Sequence, residues 1–179
     1  VGILAGQIAK TMGCRVVGLA GTDEKCRRLK DEFRFDECIN YKNVDLLKEI
    51  KNACPDGVDI YFDNVGGQIL EIVLFRMNMK GRIVCCGAVS QYDGTTPIGP
   101  RNLPGLLIVK RLKMEGFIVM DYAKEHGNAI KHLSEMNAAG DIKVTEDITE
   151  GLENAPDALI GLLNGDNFGK RMVRVTADP

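Results

Sequence analysis

Short apolar runs alternate along this chain with amphipathic stretches of about ten residues, and this alternation constrains the fold more than any other feature. Residues 16–20 and 58–63 are typical of buried strands. Residues 2–12 place their apolar side chains on one helical face. Two neighbouring strands joined through a helix lie parallel, because the helix returns the chain to the end where the first strand began. The pattern therefore predicts an α/β fold with a mainly parallel sheet.

The individual elements follow from this periodicity and from cap and turn residues. Strands are predicted at residues 15–20, 37–41, 58–63, 81–87, 113–119, 146–148 and 171–175. Helices are predicted at residues 2–12, 23–32, 43–53, 68–77, 106–111, 122–139 and 154–164, with Thr22 and Asn43 as caps for the second and third. Residues 88–105 contain three glycines and three prolines and are predicted to form a long loop, which is often functional.

Composition excludes several classes of protein. Hydrophobic residues make up 45% of the chain, charged residues 27%, and the net charge is −2, which is typical of a globular domain. Basic residues do not cluster as in nucleic-acid-binding proteins. No apolar run approaches the roughly 20 residues of a membrane helix, and residues 1–6 lack the basic flank of a signal peptide. We therefore expect a cytoplasmic protein that binds neither nucleic acid nor membrane.

The six cysteines do not suggest a metal site. None forms a C-x-x-C pair, and His126 and His132 have no useful spacing to a cysteine. We expect reduced, mostly buried thiols and no metal.

Two places resemble parts of a dinucleotide site in a Rossmann-type, doubly wound sheet. Gly2 stands where a glycine-rich strand-to-helix turn would end, although a Val-Gly helix start is common. At the end of the second strand, NAD-binding sheets carry an acid for the ribose 2′-hydroxyl. Here Gly21 has no carboxylate, Thr22 can donate a hydrogen bond, and Lys25 follows one turn later. This set suits the 2′-phosphate of NADP; Thr22 as a plain cap and Lys25 as a solvated charge are the alternative.

Two further residues fit the same site. Tyr41 follows the next strand and can place a phenol beside the 2′-phosphate, or it is an ordinary surface aromatic. Asn64 precedes two glycines at the end of the strand at 58–63. Ligands of such sheets bind at the carboxyl ends of strands, so Asn64 can meet a ribose or the nicotinamide; a plain tight turn explains it equally well.

Taken in order, these motifs resemble a known family. Gly-Thr-Asp-Glu-Lys at 21–25, Tyr-Phe-Asp-Asn-Val-Gly-Gly at 61–67 and Gly-Asp-Asn-Phe-Gly-Lys at 165–170, with residues 2–10, 40–42, 87–92 and 150–156, carry the resemblance. The chain is similar to the zinc-independent branch of the medium-chain dehydrogenase/reductase superfamily. That branch contains prostaglandin reductases (leukotriene B4 12-hydroxydehydrogenases), plant alkenal double-bond reductases and bacterial curcumin reductases.

The resemblance implies a two-domain homodimer of roughly twice this length. Residues 1–143 would form the dinucleotide-binding domain, without its first strand, so that a gap lies beside the strand at 16–20. Residues 144–179 would return to pack on a GroES-like substrate domain that is absent from this chain.

The resemblance also implies an activity and residue roles. The family uses NADPH to reduce α,β-unsaturated ketones and aldehydes by hydride transfer to the β-carbon. Tyr92 would be catalytic, pointing at the substrate carbonyl. The cofactor-binding residues would be Gly2, Thr22, Lys25, Tyr41, Asn64, Cys86, Ala88, Ser90 and Asn167.

Three other readings stay open on the sequence. One is a quinone oxidoreductase or alcohol dehydrogenase of the same superfamily, which a substrate panel would separate. Another is a catalytically inactive nucleotide-binding fragment. A Rossmann-type methyltransferase fits less well, because an acid is expected at the position of Gly21.

Overall fold

The computed structural model of the chain describes residues 1–42, 44–92 and 99–176. Within them, α-helices and β-strands alternate as the sequence predicts. The helices are α1 (Gly2–Thr11), α2 (Asp23–Phe33), α3 (Leu46–Ala53), α4 (Gly67–Arg76), α5 (Leu103–Lys110), α6 (His126–Ala138) and α7 (Ala155–Asn164). The strands are β1 (Val17–Ala20), β2 (Glu37–Asn40), β3 (Val58–Asp63), β4 (Met77–Cys85), β5 (Lys113–Gly116), β6 (Glu146–Glu150) and β7 (Lys170–Arg174).

Every strand pair in the described residues is parallel. β1 pairs with β2, β4 lies between β3 and β5, and β6 pairs with β7. The predicted α/β class and parallel pairing are confirmed. Among the described strands none pairs with the other edge of β1, which is where the resemblance predicts a further strand.

Some element boundaries differ from the predicted ones. The third helix begins at Leu46, capped by the Asp45 side chain, which accepts from the Lys48 N–H; the predicted cap Asn43 lies outside the described residues. The strand predicted at 113–119 ends at Gly116, and a short 3₁₀ turn at Val119–Tyr122 precedes α6. α5 begins at Leu103, three residues before the predicted 106. Local caps and turns decide these ends, and periodicity does not resolve them.

The chain divides into two compact units. The first unit holds Val1, residues 3–40 and the described residues from 132 onward; the second holds Gly2 and residues 41–131. In the first unit, Leu29 and Phe33 of α2 share a buried cluster with Ala20 of β1 and with Phe35, which follows the helix. In the second, buried residues of α4 and β4, among them Leu74 and Ile83, form the apolar interior.

The cysteines are free thiols, as expected, but most are not buried. Only Cys26 is buried; the other five are half-buried. The Cys38 thiol donates a hydrogen bond to the Cys26 sulfur at 2.8 Å. Burial raises the pKa of Cys38, and the contact with Cys26 raises it further.

We predict that Cys38 resists alkylation in the folded protein. A raised pKa lowers the fraction of thiolate, the nucleophilic form, so reaction with iodoacetamide near pH 8 should be at least about tenfold slower folded than in urea. Peptide mass spectrometry measures both rates, with the half-buried Cys54 as an internal reference. Equal rates for Cys38 in the two states would contradict the prediction.

Candidate functional site

Asp63 organises the carboxyl end of β3. Its side chain is 2% exposed, and one carboxylate oxygen, Oδ1, accepts hydrogen bonds from the N–H groups of Val65 (3.0 Å) and Gly66 (2.9 Å). The Tyr61 hydroxyl donates to the same oxygen at 3.0 Å. Burial raises the pKa of Tyr61, and the charge of Asp63 adds to the effect, so the phenol stays protonated as a donor. The carboxylate therefore fixes the turn that carries Asn64.

The segment after β4 is bonded to this turn by its backbone. The N–H of Cys86 donates to the Asp63 carbonyl at 2.7 Å, and the N–H of Val89 donates to the Asn64 carbonyl at 3.2 Å. Ser90 donates twice to the Val65 carbonyl, from its N–H at 3.1 Å and from its hydroxyl at 2.6 Å. Because β3 and β4 are parallel neighbours, both segments meet at one end of the sheet.

Four predicted residues come together there: Asn64, Cys86, Ala88 and Ser90. A Cβ atom added at Gly87 would lie 2.5 Å from the side-chain oxygen of Asn64, so only glycine lets the Asn64 amide lie this close to the chain after β4. The catalytic candidate Tyr92 follows directly. Its N–H donates to the Val89 carbonyl at 3.3 Å, and its side chain is 67% exposed.

In the first unit, the start of α2 holds the other candidates. The Thr22 hydroxyl oxygen caps the helix by accepting from the Lys25 N–H at 3.2 Å. The hydroxyl proton can still be donated to a ligand oxygen. The Lys25 ammonium donates to the carbonyl of Gly165. The nearby Asp23 carboxylate accepts from the side-chain amide of Asn40, the last residue of β2, at 2.8 Å.

Three predicted cofactor residues remain: Asn167, Gly2 and Tyr41. The Asn167 side chain donates to the Gly169 carbonyl at 2.9 Å, within its own loop. Gly2 is exposed at the start of α1, with no other atom within 4 Å of its Cβ direction. Tyr41 follows β2 and is 37% exposed.

Sequence reasoning missed the residues that shape the site. Asp63 and Tyr61 were visible only as parts of a motif, although an Asp at a strand end before two turn residues is a known turn signal. Phe168 lies on α2, where its ring centroid is 5.8 Å from that of Phe33 and 3.8 Å from the Arg28 guanidinium carbon. No local pattern predicts that contact, because the partners are far apart in sequence.

Two further findings concern metals and membranes. Within residues 1–42, 44–92 and 99–176, no group of three His, Cys, Asp or Glu side chains could hold a metal ion. None of the described helices is long and apolar enough to cross a membrane.

Comparison with known proteins identifies the family. The zinc-binding dehydrogenase family matches residues 1–135. The chain belongs to this family. Its relatives lie in the branch that the sequence motifs indicated. It is 47% identical to an NADP(+)-dependent 2-alkenal reductase of Nicotiana tabacum, over 99% of this chain and 52% of the reductase. It is 46% identical to prostaglandin reductase 1 of Bos taurus, over 97% of this chain and 53% of that protein.

A solved structure also supports the assignment of this chain to the dehydrogenase family. CurA from Vibrio vulnificus, crystallised with NADPH, superimposes with a TM-score of 0.93 at 44% identity, covering 99% of this chain and 54% of CurA. The Rossmann-type fold predicted from the sequence is thereby confirmed. The chain spans about half the length of the curated relatives it matches.

Proposed function

We propose that this chain is the cofactor-binding part of an NADPH-dependent reductase of α,β-unsaturated ketones and aldehydes. The observation that carries the proposal is the convergence of Asn64, Cys86, Ala88 and Ser90 at the carboxyl ends of β3 and β4. The names of the tobacco and bovine relatives support the reaction class. NADPH, when bound, supplies the hydride that is transferred to the β-carbon of the substrate.

The donors at the start of α2 fit the phosphate of this cofactor. Gly21 places no carboxylate at the end of β1, where an acid would repel a 2′-phosphate. Thr22 is the N-cap of α2, and Lys25 lies on the first turn of that helix. We propose that Thr22, Lys25 and Tyr41 hold the 2′-phosphate.

Polar groups at the end of β3 and β4 fit the other end of the cofactor. The Asn64 amide and residues Cys86, Ala88 and Ser90 would face the nicotinamide and its ribose. Gly2 would lie at the pyrophosphate, and Asn167 would reach the cofactor from the loop after α7. The Ser90 hydroxyl already donates to Val65, so towards a ligand it would act as an acceptor. Tyr92 would donate to the substrate carbonyl oxygen, which gains negative charge as the hydride arrives.

Lys25→Ala is expected to weaken NADPH binding by about 10- to 100-fold, because a charge-assisted contact is worth roughly 1.5–3 kcal/mol. NADH lacks the 2′-phosphate, so its affinity should change by less than about twofold. Calorimetric titration of the longest natural polypeptide that contains this chain measures both.

Lys30→Ala is the matched control for Lys25→Ala. Lys30 lies on the same helix, and its ammonium is paired with Glu37 at 3.6 Å. That variant should leave both cofactor affinities unchanged. An equal loss of NADPH and NADH affinity in Lys25→Ala would remove Lys25 from the phosphate site.

The reaction class is tested by following NADPH oxidation with a panel of substrates. An enone, an enal, a quinone and, in the reverse direction with NADP, an alcohol separate the proposed activity from that of quinone reductases and alcohol dehydrogenases. Turnover of the enone and enal well above that of the quinone is expected. Activity confined to the quinone or the alcohol would overturn the proposal.

A homodimer formed through β5 also belongs to the proposal. Among the described strands β5 pairs with β4 alone, so no described strand covers its other edge, and such strand edges readily pair with another chain. Sedimentation of the longest natural polypeptide should give a dimer. A monomer would exclude this assembly.

We propose the domain boundaries of the chain from the family resemblance. Residues 1–143 would form the dinucleotide-binding domain and residues 144–179 the segment that packs on a GroES-like substrate domain. A cytoplasmic location stays a prediction from composition.

A further inference from the structure

The loop at residues 165–170 contacts α2, the helix at whose start the proposed phosphate ligands Thr22 and Lys25 lie. The Lys25 ammonium donates to the carbonyl of Gly165, the first residue of this loop. Its partner is 140 residues away in the sequence. The position of the ammonium therefore depends on where the loop carries that carbonyl.

Phe168 fixes the loop to α2 through its ring. The ring lies 5.8 Å from that of Phe33, which is 1% exposed, with an angle of 50° between the ring planes. On Arg28, the guanidinium carbon lies 3.8 Å from the centre of the Phe168 ring, a cation–π contact. Glu32 holds the same guanidinium by two hydrogen bonds, of 2.6 and 3.1 Å. Phe33 and Arg28 of α2 therefore hold the Phe168 ring in place.

The backbone fixes the loop on its other side to β6. The Phe168 N–H donates to the Asp147 carboxylate at 2.9 Å, and the Lys170 N–H donates to the Thr145 carbonyl at 2.9 Å. Gly169 has φ +95°, and a Cβ there would lie 2.4 Å from the Thr145 carbonyl oxygen. The loop is held at both faces, with Phe168 as its only described ring contact to α2.

We infer that Phe168 is a positioning residue that sets the preference for NADPH over NADH. It holds the Gly165 carbonyl against Lys25, which keeps the long lysine side chain aimed at the 2′-phosphate. This inference rests on the proposed function. A flexible lysine loses side-chain entropy on binding a phosphate, and a carbonyl that already orders it reduces that loss. Phe168 itself touches no cofactor in this scheme.

Two adenosine fragments test the inference by calorimetry on the longest natural polypeptide that contains this chain. Adenosine 2′,5′-bisphosphate carries the 2′-phosphate, and adenosine 5′-monophosphate lacks it. Phe168→Leu keeps an apolar side chain but removes the ring under Arg28. It should weaken the bisphosphate about 3- to 10-fold and the monophosphate by less than about twofold. Phe168→Tyr, which keeps the ring, should restore the wild-type ratio.

Phe75→Leu is the matched control, because the same change is made at a Phe of α4 that is 52% exposed. It should leave both affinities unchanged. If Phe168→Leu lowers both affinities equally, or neither, the inference is overturned. If the wild-type protein itself does not prefer the bisphosphate, the proposed NADPH assignment fails instead.

Discussion

Tyr92→Phe is expected to lower enone turnover on the order of 10²–10³-fold, the usual cost of removing one donor from a developing oxyanion. The substitution deletes a single oxygen and keeps the ring. NADPH affinity should change by less than about twofold, because we propose that the hydroxyl contacts the substrate and not the cofactor. Val89 and Ser90 are hydrogen-bonded to the turn at Asn64, on the proposed cofactor side. The side chain of Tyr92, two residues after Ser90, is 67% exposed and is therefore accessible to a substrate.

Stopped-flow hydride transfer from NADPH to an enone, with separate cofactor titration, measures the two effects. Tyr122→Phe is the matched control, since that tyrosine is also exposed, at 54%, and its ring meets Phe117 edge-on. It should turn over the enone normally. Wild-type turnover in Tyr92→Phe would remove Tyr92 from the mechanism.

Asp63→Ala is expected to lower the free energy of unfolding by about 3 kcal/mol. The carboxylate is buried and accepts hydrogen bonds from Val65, Gly66 and Tyr61. Its removal leaves these three donors without their acceptor where water reaches poorly, and each such group costs free energy. Urea unfolding measures the change. The Asn64 turn should loosen as well, so cofactor affinity should fall in the folded variant.

Two control variants separate the charge from the hydrogen bonds. Asp63→Asn keeps an acceptor oxygen for the two backbone N–H groups and should cost clearly less than Asp63→Ala. Tyr61→Phe removes one of the three donors and should cost about 1 kcal/mol. If Asp63→Ala unfolds within about 0.5 kcal/mol of the wild type, the carboxylate does not organise this turn.

Much of the site could be predicted where its signal is local. A residue that caps a helix lies next to that helix in sequence, so Thr22 was assigned correctly as the cap of α2. The end of β3 follows from an apolar run and two glycines, so Asn64 could be expected at the carboxyl edge of the sheet, whereas Ser90 was expected there from the family resemblance. The start of α3 was predicted too early: the helix begins at Leu46, where the Asp45 side chain accepts from the Lys48 N–H.

The sequence by itself determined the parallel α/β class and the family. The signals for both, the periodicity of strands and helices and the order of the motifs, depend on residues that are close together in the sequence. Only the tertiary structure decided which carbonyl receives the Lys25 ammonium, because Gly165 lies 140 residues further along the chain. Phe168 meets Arg28 and Phe33 only after the whole intervening chain has folded. Such contacts depend on how distant elements pack, and no short stretch of sequence specifies that packing.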